Sequence, residues 1–553
     1  MCIRVADPLA ELLETPTSAV ACAGTREAFS VMSGEVTVVT VVTDEGTVDL
    51  DLDGDGVIAP GDVLSSHRRP RCRSGGAADA HRRPLALTHT LERDSDTLPG
   101  RPAPVGVRGG AVSGMSVALD TLVSPREPEG LRGRGDISDA DRSNLMRVMP
   151  TKGGRVHVIV IGAGIIGLAV GRRLLREGHA VTILDPAPAS GATHAAGGML
   201  TPVGEAYHGE NDLTALLLAS AQRYPAFIDD LAADLPAGTP TGFVTSGTII
   251  CGVDAADRGH LSDLHALWER LGLRSDQLTT RQARALEPLL GPRLTCAFHA
   301  PDDHQVDPRL LAAALMTALE ARGVQIPSEV ATAVHPGERP SVDLASGDRL
   351  EADAVVVANG LGAAHLGGDV GVDLSAVLRP VHGEVVRMTA PPHLAPLFTH
   401  TVRGLVEGRP VYLIPRGDGR VLLGASSRED GAEHVSAGGV HDLLTDAIRL
   451  MPAVQEFGID EVLSRARPGT PDNAPLIGRT APGIVLATGL FRHGILLAPV
   501  TADIVAALLR RGTGDLGPEA HSPDDPLLTL ARCADPDRFA AGPLARTLWK
   551  DTP

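Results

Sequence analysis

The chain has 553 residues, 43% of them hydrophobic, and a formal charge of −18, enough for about two to four domains with ample cores. The acidic balance argues against nucleic acid or an anionic membrane as partner, and the longest apolar run, 156–170, is too short to span a bilayer. Cys2, Cys22, Cys72, Cys251, Cys296 and Cys533 show no C-x-x-C spacing, and Asp7, Glu11 and Glu14 stand where a secretion signal would be apolar. Together these features predict a cytoplasmic protein without a disulfide framework or a metal cluster.

Residues 1–154 include runs such as HRRPRCRSGGAADAHRRP, rich in Arg, Gly, Pro and Ala, with little helical periodicity. They read as a low-complexity, disordered or loosely packed extension, with one apolar run, Val36–Val42, suited to a strand. Asp51, Asp53, Asp55 and Asp62, with Gly56 and Ile58 between them, have the spacing of a calcium loop. The flanks are not helical, which favours a solvated acidic turn over calcium binding. A native start at Met146 or Met149 would place the next segment close to an amino terminus, as is usual for the fold it suggests.

That segment is RVHVIVIGAGIIGLAVGRRLLREGHAVTILD, residues 155–185. A β-branched apolar run predicts a strand over 156–161, helical spacing predicts a helix over 165–176 with Arg172, Arg173 and Arg176 toward water, and 180–184 reads as a second strand. Between the first strand and the helix, Gly162, Ala163, Gly164, Ile165, Ile166 and Gly167 spell G-x-G-x-x-G. Gly162 permits the tight turn, Gly164 lets a pyrophosphate approach the backbone, and Gly167 lets helix and strand pack closely. The helix amino end attracts phosphate. Asp185 can accept hydrogen bonds from both ribose hydroxyls of an adenosine. The alternative is a glycine-rich packing turn.

Further elements follow in order. Helices are expected over 211–235, with a break or kink at Pro225, and over 260–271, 280–290 and 308–322, the last with Asp307 as N-cap and Pro308 at its first position. Strands are expected over 242–252, from Val324, over 330–334, 342–344, 352–360, 380–388, 411–415 and 420–425, with Gly417-Asp418-Gly419 closing a hairpin. Strand 484–488 precedes the loop 489–494 and a helix from Ile495 to about Arg510. Arg467, in RARPGT, needs an anionic partner if buried. A bound carboxylate and a structural salt bridge to Asp472 both satisfy it.

Five stretches carry a resemblance: VIVIGAGIIGLAVGRRL, SGATHAAGGML, DDHQVDPRLL, VYLIPRGDGRVLLGAS and RARPGTPDNAPLIGRT with GLFRHGILLAP. Residues 155–511 are similar to the D-amino-acid-oxidase-type flavoproteins, most of all to the glycine oxidases of thiamine biosynthesis. The resemblance implies an α/β fold, in which a Rossmann-type FAD-binding domain (155–205, 303–376, 461–513) carries an inserted α+β antiparallel-sheet substrate domain (206–302, 377–460). Residues 514–553 are left as an irregular tail without a catalytic role. For FAD it implies the glycine-loop residues above, Asp185, Thr193, Ala196, Gly197, Val330, Gly360, His493, Gly494, Ile495 and Leu496. For substrate it implies Arg467 as the carboxylate clamp, with Tyr412, Arg492 and Met199 beside it. A face or core role for Tyr412, a loop with a packed helix start after Asp185 and a glycine-terminated strand at Ala358-Asn359-Gly360 are the alternatives.

The implied reaction is oxidation of glycine or another small amino acid to an imine by FAD. O2 is reduced to H2O2, and the imine is hydrolysed to glyoxylate or taken up by thiazole synthase. No side chain is assigned as catalytic base. A homo-oligomer is suggested only by the family. Sarcosine-type oxidation, D-amino-acid dehydrogenation, a non-catalytic flavin-binding interaction protein and an NAD-dependent dehydrogenase are the rivals. Two departures bear on substrate choice: Leu490 and His493 interrupt the G-H-F-R-N-G of glycine oxidases, and Pro410 stands where a histidine is common.

Overall fold

The computed structural model describes residues 2–5, 38–43, 46–51, 156–394, 397–511 and 525–539. They fall in two units, 1–124 and 125–553. In the first, Cys2–Val5, Val38–Thr43 and Gly46–Asp51 form a three-stranded antiparallel sheet with Val38–Thr43 in the middle. The strand expected over 36–42 is therefore present. Asp51 ends the third strand, while Asp53, Asp55 and Asp62 of the calcium-loop spacing, and Met146 and Met149, lie outside the described residues.

The second unit begins with β1 (His157–Ile161), α1 (Ile165–Arg176) and β2 (Ala180–Leu184). Val158, Ile159 and Val160 are fully buried, as expected of a parallel strand covered on both faces. Gly178, at φ +90°, ends the turn after α1. Arg172, expected toward water, is buried and donates to Asp234 through Nε at 3.1 Å.

Then come α2 (Asn211–Ala233), β3 (Thr248–Gly252), β4 (Asp276–Leu278), β5 (Cys296–Ala300), α3 (Pro308–Ala321) and β6 (Ala354–Val357). Asp307 caps α3 as expected, accepting from Arg309 N–H at 2.9 Å. Helix α2 runs through Pro225 without ending. Its buried face secures it, with the Tyr224 hydroxyl donating to Ile495 O at 2.5 Å and Ser220 to Leu496 O at 2.6 Å. The single strand expected over 242–252 is split: Phe243–Val244 pairs with His304–Val306, and after Gly247 at φ +75° β3 enters another sheet. No strand starts at Val324; its N–H returns to Leu319 O at 3.0 Å and closes the end of α3.

The remaining elements are β7 (Arg379–Thr389), β8 (Thr401–Val406), β9 (Arg409–Pro415), β10 (Arg420–Gly424), α4 (Ala437–Leu450), β11 (Gly458–Gly469), β12 (Leu476–Ala481), β13 (Ile484–Thr488) and α5 (Gly494–Arg510). The hairpin β9–β10 closes at Gly419, whose N–H donates to Arg416 O at 3.2 Å. Residues 525–539, expected to be irregular tail, form a short helix and two 3₁₀ turns, with Leu528, Ala531 and Ala534 buried in the core shared by α1, α2 and α5.

A five-stranded sheet has the order β12-β13-β6-β1-β2, parallel except for the β12–β13 pair. An eight-stranded sheet has the order β11-β7-β10-β9-β8-β3-β5-β4, and in it only β3 and β8 run parallel. Strand β11 belongs to the large sheet through its register with β7 (Val381 opposite Arg467), and α2 packs into the core of the smaller one. The segment Phe491–Arg510 is long and apolar enough to cross a membrane, but 83% of its apolar window is buried in the fold, where α5 packs on α1 and α2.

Candidate active site

Between the two large sheets lies a cavity of about 880 Å³, near the top of the roughly 300–1,000 Å³ range of ligand and cofactor sites. Its first wall is the β1–α1 turn. Gly162, at φ +103°, sits against Asn359, where a Cβ would come within 2.7 Å of backbone, and a Cβ on Gly167 would overlap the Gly162 carbonyl. A Cβ on Gly164 would meet only the Thr193 hydroxyl, at 3.5 Å, so the Gly164 backbone faces open space. The Ile165 N–H, at the start of α1, donates to Thr193 Oγ1 at 3.0 Å. Asp185 accepts from Ala163 N–H at 2.6 Å and from Ala187 N–H at 2.7 Å, which fixes its carboxylate at the mouth of the glycine turn. Val330, exposed, and Thr332 line the same end.

Asn359 and Gly360 border the middle of the cavity, and the buried Asn359 Oδ1 has no hydrogen-bond partner. Ala196 and Gly197 face them, and His493, Gly494, Ile495 and Leu496 bring in the amino end of α5. An open phosphate turn at one helix, an acid for a ribose, an orphaned amide oxygen and a second helix amino end fit a flavin dinucleotide.

Beyond them the cavity is lined by Met199, Tyr412, Arg467, Arg492, Glu205, Tyr207 and Arg403. Strand β11 carries Arg467 across Gly383 of β7, where a Cβ would overlap the guanidinium. Arg467 donates to Ser426 O at a long 3.4 Å. It has no carboxylate within salt-bridge distance among the described residues. The salt bridge to Asp472 weighed from the sequence is not made; Asp472 pairs with Arg538 at 2.7 Å. Tyr412, on β9, lies between Gly197, 3.2 Å from its hydroxyl by the position of a Cβ, and Gly424. Burial raises its phenol above the ordinary range.

Arg492 is not free in the same way. Its Nε is 2.6 Å from Glu205 Oε2, a charge contact without hydrogen-bond alignment, and its guanidinium lies 5.0 Å over Tyr207 and 5.4 Å over Phe491. Glu205 also accepts from Arg403 Nη1 at 2.6 Å. Burial would raise the Glu205 carboxyl, but Arg403 and Arg492 outweigh it and hold the group at about 2. Burial takes His493 down to about 4, only partly opposed by Glu205, so the imidazole is neutral. Its Nε2 has no partner. The turn bearing Glu205 is clamped by buried Asp303, which accepts from Val203 N–H at 3.0 Å and Gly204 N–H at 2.9 Å. Burial pushes Asp303 up to about 7.

Every residue expected at the site from the sequence lines this cavity, except Ala163 and Gly167, which pack behind the turn. Missed were Glu205, Arg403 and Asp303. A lone acid among small residues after AAGGML, and an arginine inside the apolar alternation TVRGLV, were the available signals.

A crevice built on a glycine turn, leading to a cationic pocket roofed by a second sheet, is the architecture of a dinucleotide-dependent oxidoreductase. The chain belongs to the FAD-dependent oxidoreductase family, whose profile matches residues 157–508. It is 34% identical over 364 residues to the glycine oxidase of Geobacillus kaustophilus, a match covering 65% of this chain and 93% of that one. The crystal structure of glycine oxidase from the same species aligns with a TM-score of 0.59 at 32% identity, covering 66% of this chain and 96% of the other. The bifunctional protein ThiO/ThiG of Synechocystis is 36% identical over 361 residues; the match takes in 64% of this chain but only 51% of that relative. The chain thus spans about half the length of that relative.

Proposed function

We propose that the protein oxidises glycine, or another small amino acid, with FAD and O2: glycine + O2 + H2O gives glyoxylate + NH3 + H2O2. The observation that carries the reading is Arg467, a guanidinium with no carboxylate partner among the described residues, facing the same cavity as Tyr412. The similarity to a glycine oxidase favours glycine over the sarcosine-type and D-amino-acid dehydrogenase rivals. FAD, when bound, would supply a two-electron acceptor for the α-hydrogen leaving as hydride and an outlet for the electrons to O2.

The protein's part is orientation. Arg467 grips the substrate carboxylate through parallel charge-assisted hydrogen bonds, and the Tyr412 hydroxyl, kept protonated by burial, donates to the same group. The α5 amino end, entered through Gly494 and Ile495, favours negative charge on the adjoining part of the cofactor. The glycine turn, Thr193 and Asp185 hold its phosphates and ribose in a Rossmann-type arrangement. Arg492 lines the rim while tied to Glu205.

Release of the imine to a thiazole-forming partner belongs to the same reading and is supported by the ThiO/ThiG relative. A cytoplasmic setting is supported by free Cys251, Cys296 and Cys533. The test is anaerobic addition of glycine to the FAD-loaded protein. Loss of the visible flavin absorbance, restored by air with formation of H2O2, is expected. An unchanged spectrum with glycine and every small amino acid overturns the reading.

A further inference from the structure

We propose that residues 525–539 are a strap that braces the substrate end of the cavity, and that Arg538 is a positioning residue for substrate acting through Asp472. The inference rests on the glycine-oxidising reading for the identity of the substrate, and on the structure for the rest. The strap lies beyond the family match, which ends at 508. Asp525 caps its helix, accepting from Leu527 N–H at 2.9 Å, and Leu528 seats it in the core. Pro536 then lies so close to β12 that a Cβ on Gly478 would come within 2.5 Å of its ring.

Arg538 reaches from this seat to the loop that follows β11, three residues beyond Gly469. It donates to Asp472 through Nε at 2.7 Å and Nη2 at 3.0 Å, and to Ala474 O at 2.8 Å. Asp472 in turn accepts from Ala474 N–H at 3.1 Å and Thr470 Oγ1 at 3.2 Å, so one guanidinium closes the loop from outside. The next residue, Asn473, is at φ +60° and accepts from Arg379 Nη2 at 3.1 Å. Arg379 also donates to Thr470 O at 3.3 Å, and its guanidinium lies 5.6 Å over Phe491. The network joins the strap to both sides of the pocket: the end of the strand that carries Arg467, and the Phe491–Arg492 corner opposite.

A brace of this kind sets where the clamp stands without touching the substrate. It acts on substrate affinity more than on turnover. In the FAD-loaded full chain, Arg538→Gln and Asp472→Asn should each raise KM for glycine by roughly 5-fold, with kcat within about two-fold and FAD content unchanged. The double variant should match the singles, because either change breaks the same link. Acetate, titrated by its perturbation of the bound-flavin spectrum, should lose affinity by the same factor. Unchanged KM and acetate affinity in Arg538→Gln, or effects that multiply in the double variant, overturn the proposal. If Arg538→Gln does not fold, Asp472→Asn carries the same test with the same two outcomes. A wild-type protein inert to glycine would sink the substrate reading alone, and the acetate titration would still decide the strap.

Discussion

Gly383 offers a way to move the Arg467 guanidinium, the proposed carboxylate clamp, without changing its chemistry. An alanine there is free of backbone strain, since Gly383 is not among the residues at positive φ. Its Cβ would nevertheless stand 2.6 Å from Arg467 Cζ and closer still to both terminal nitrogens. A relaxed contact needs about 3.5–4.0 Å, so the guanidinium must retreat by roughly 1 Å. The far end of a long side chain can do this at little cost to folding. The substrate carboxylate, held by the rest of the pocket, then loses one or both of its bonds to Arg467. A charge-assisted hydrogen bond contributes about 1.5–3 kcal/mol, and misplacement by about 1 Å can cost on the order of 100-fold in rate. Gly383→Ala should lower kcat/KM for glycine by about 10- to 100-fold, with a melting temperature close to wild type. Steady-state peroxide release and thermal melts measure both. The comparison is Gly252→Ala, on β3, whose Cβ would meet Asp257 Cβ at 2.9 Å and Cys296 Sγ at 3.0 Å. That variant should melt lower and keep its kcat/KM. The argument fails if Gly383→Ala turns over glycine within about two-fold of wild type.

Glu205→Gln leaves Arg403 and Arg492 without their shared carboxylate; unfolding free energy should drop by about 3 kcal/mol, read from denaturant melts. His493, held at about 4 against an ordinary 6.5, refuses a proton that the unfolded chain accepts between those values. Its contribution to stability is thus present above 6.5 and is lost as pH falls toward 4, whereas Asp303, pushed up to about 7 from 3.8, acts in the opposite sense. His493→Asn should therefore lose less stability than wild type between about pH 7 and pH 4, by on the order of 1–3 kcal/mol; an identical pH profile would refute this. Asp185→Ala removes the acceptor for Ala163 N–H and Ala187 N–H together with the proposed ribose acceptor. FAD affinity, measured by titrating the apoprotein, should fall by about 10-fold, equivalent to one hydrogen bond.

Local signals described the nucleotide half well because each was over-determined. Residues 165–176 have helical apolar spacing, a glycine turn before and a glycine after, and the helix spans those residues. Where a tertiary contact competes with a local rule, the local rule fails. Pro225 removes one backbone bond, yet buried hydrogen bonds to Ile495 and Leu496 keep α2 whole. Arg172 looks solvated on a helix wheel and is buried because Asp234, 62 residues away, receives it. Strand β11, GIDEVLSRARPG, carries four charged residues in twelve and no clean alternation. Eleven registered partners on β7 hold it in place, none of them visible from its own residues.

The same distinction separates two arginines that the sequence put in one pocket. Arg467 was legible because its need for an anion could be argued from the residue alone, and Asp472 was the obvious nearby claimant. That claim is void for a reason outside any local window: Arg538, 66 residues on, already occupies the Asp472 carboxylate. Arg492 looked equivalent, but Glu205 comes from a turn nearly 300 residues earlier and meets it at 2.6 Å. Glu205 must also serve Arg403, so its charge is shared, and Arg492 is completed by two aromatic faces and by solvent at the rim. A pocket with two unpaired guanidiniums would favour a substrate with two anionic groups. Tying one of them to Glu205, which Arg403 also shares, leaves Arg467 with only a weak carbonyl contact and so as the guanidinium most open to a carboxylate.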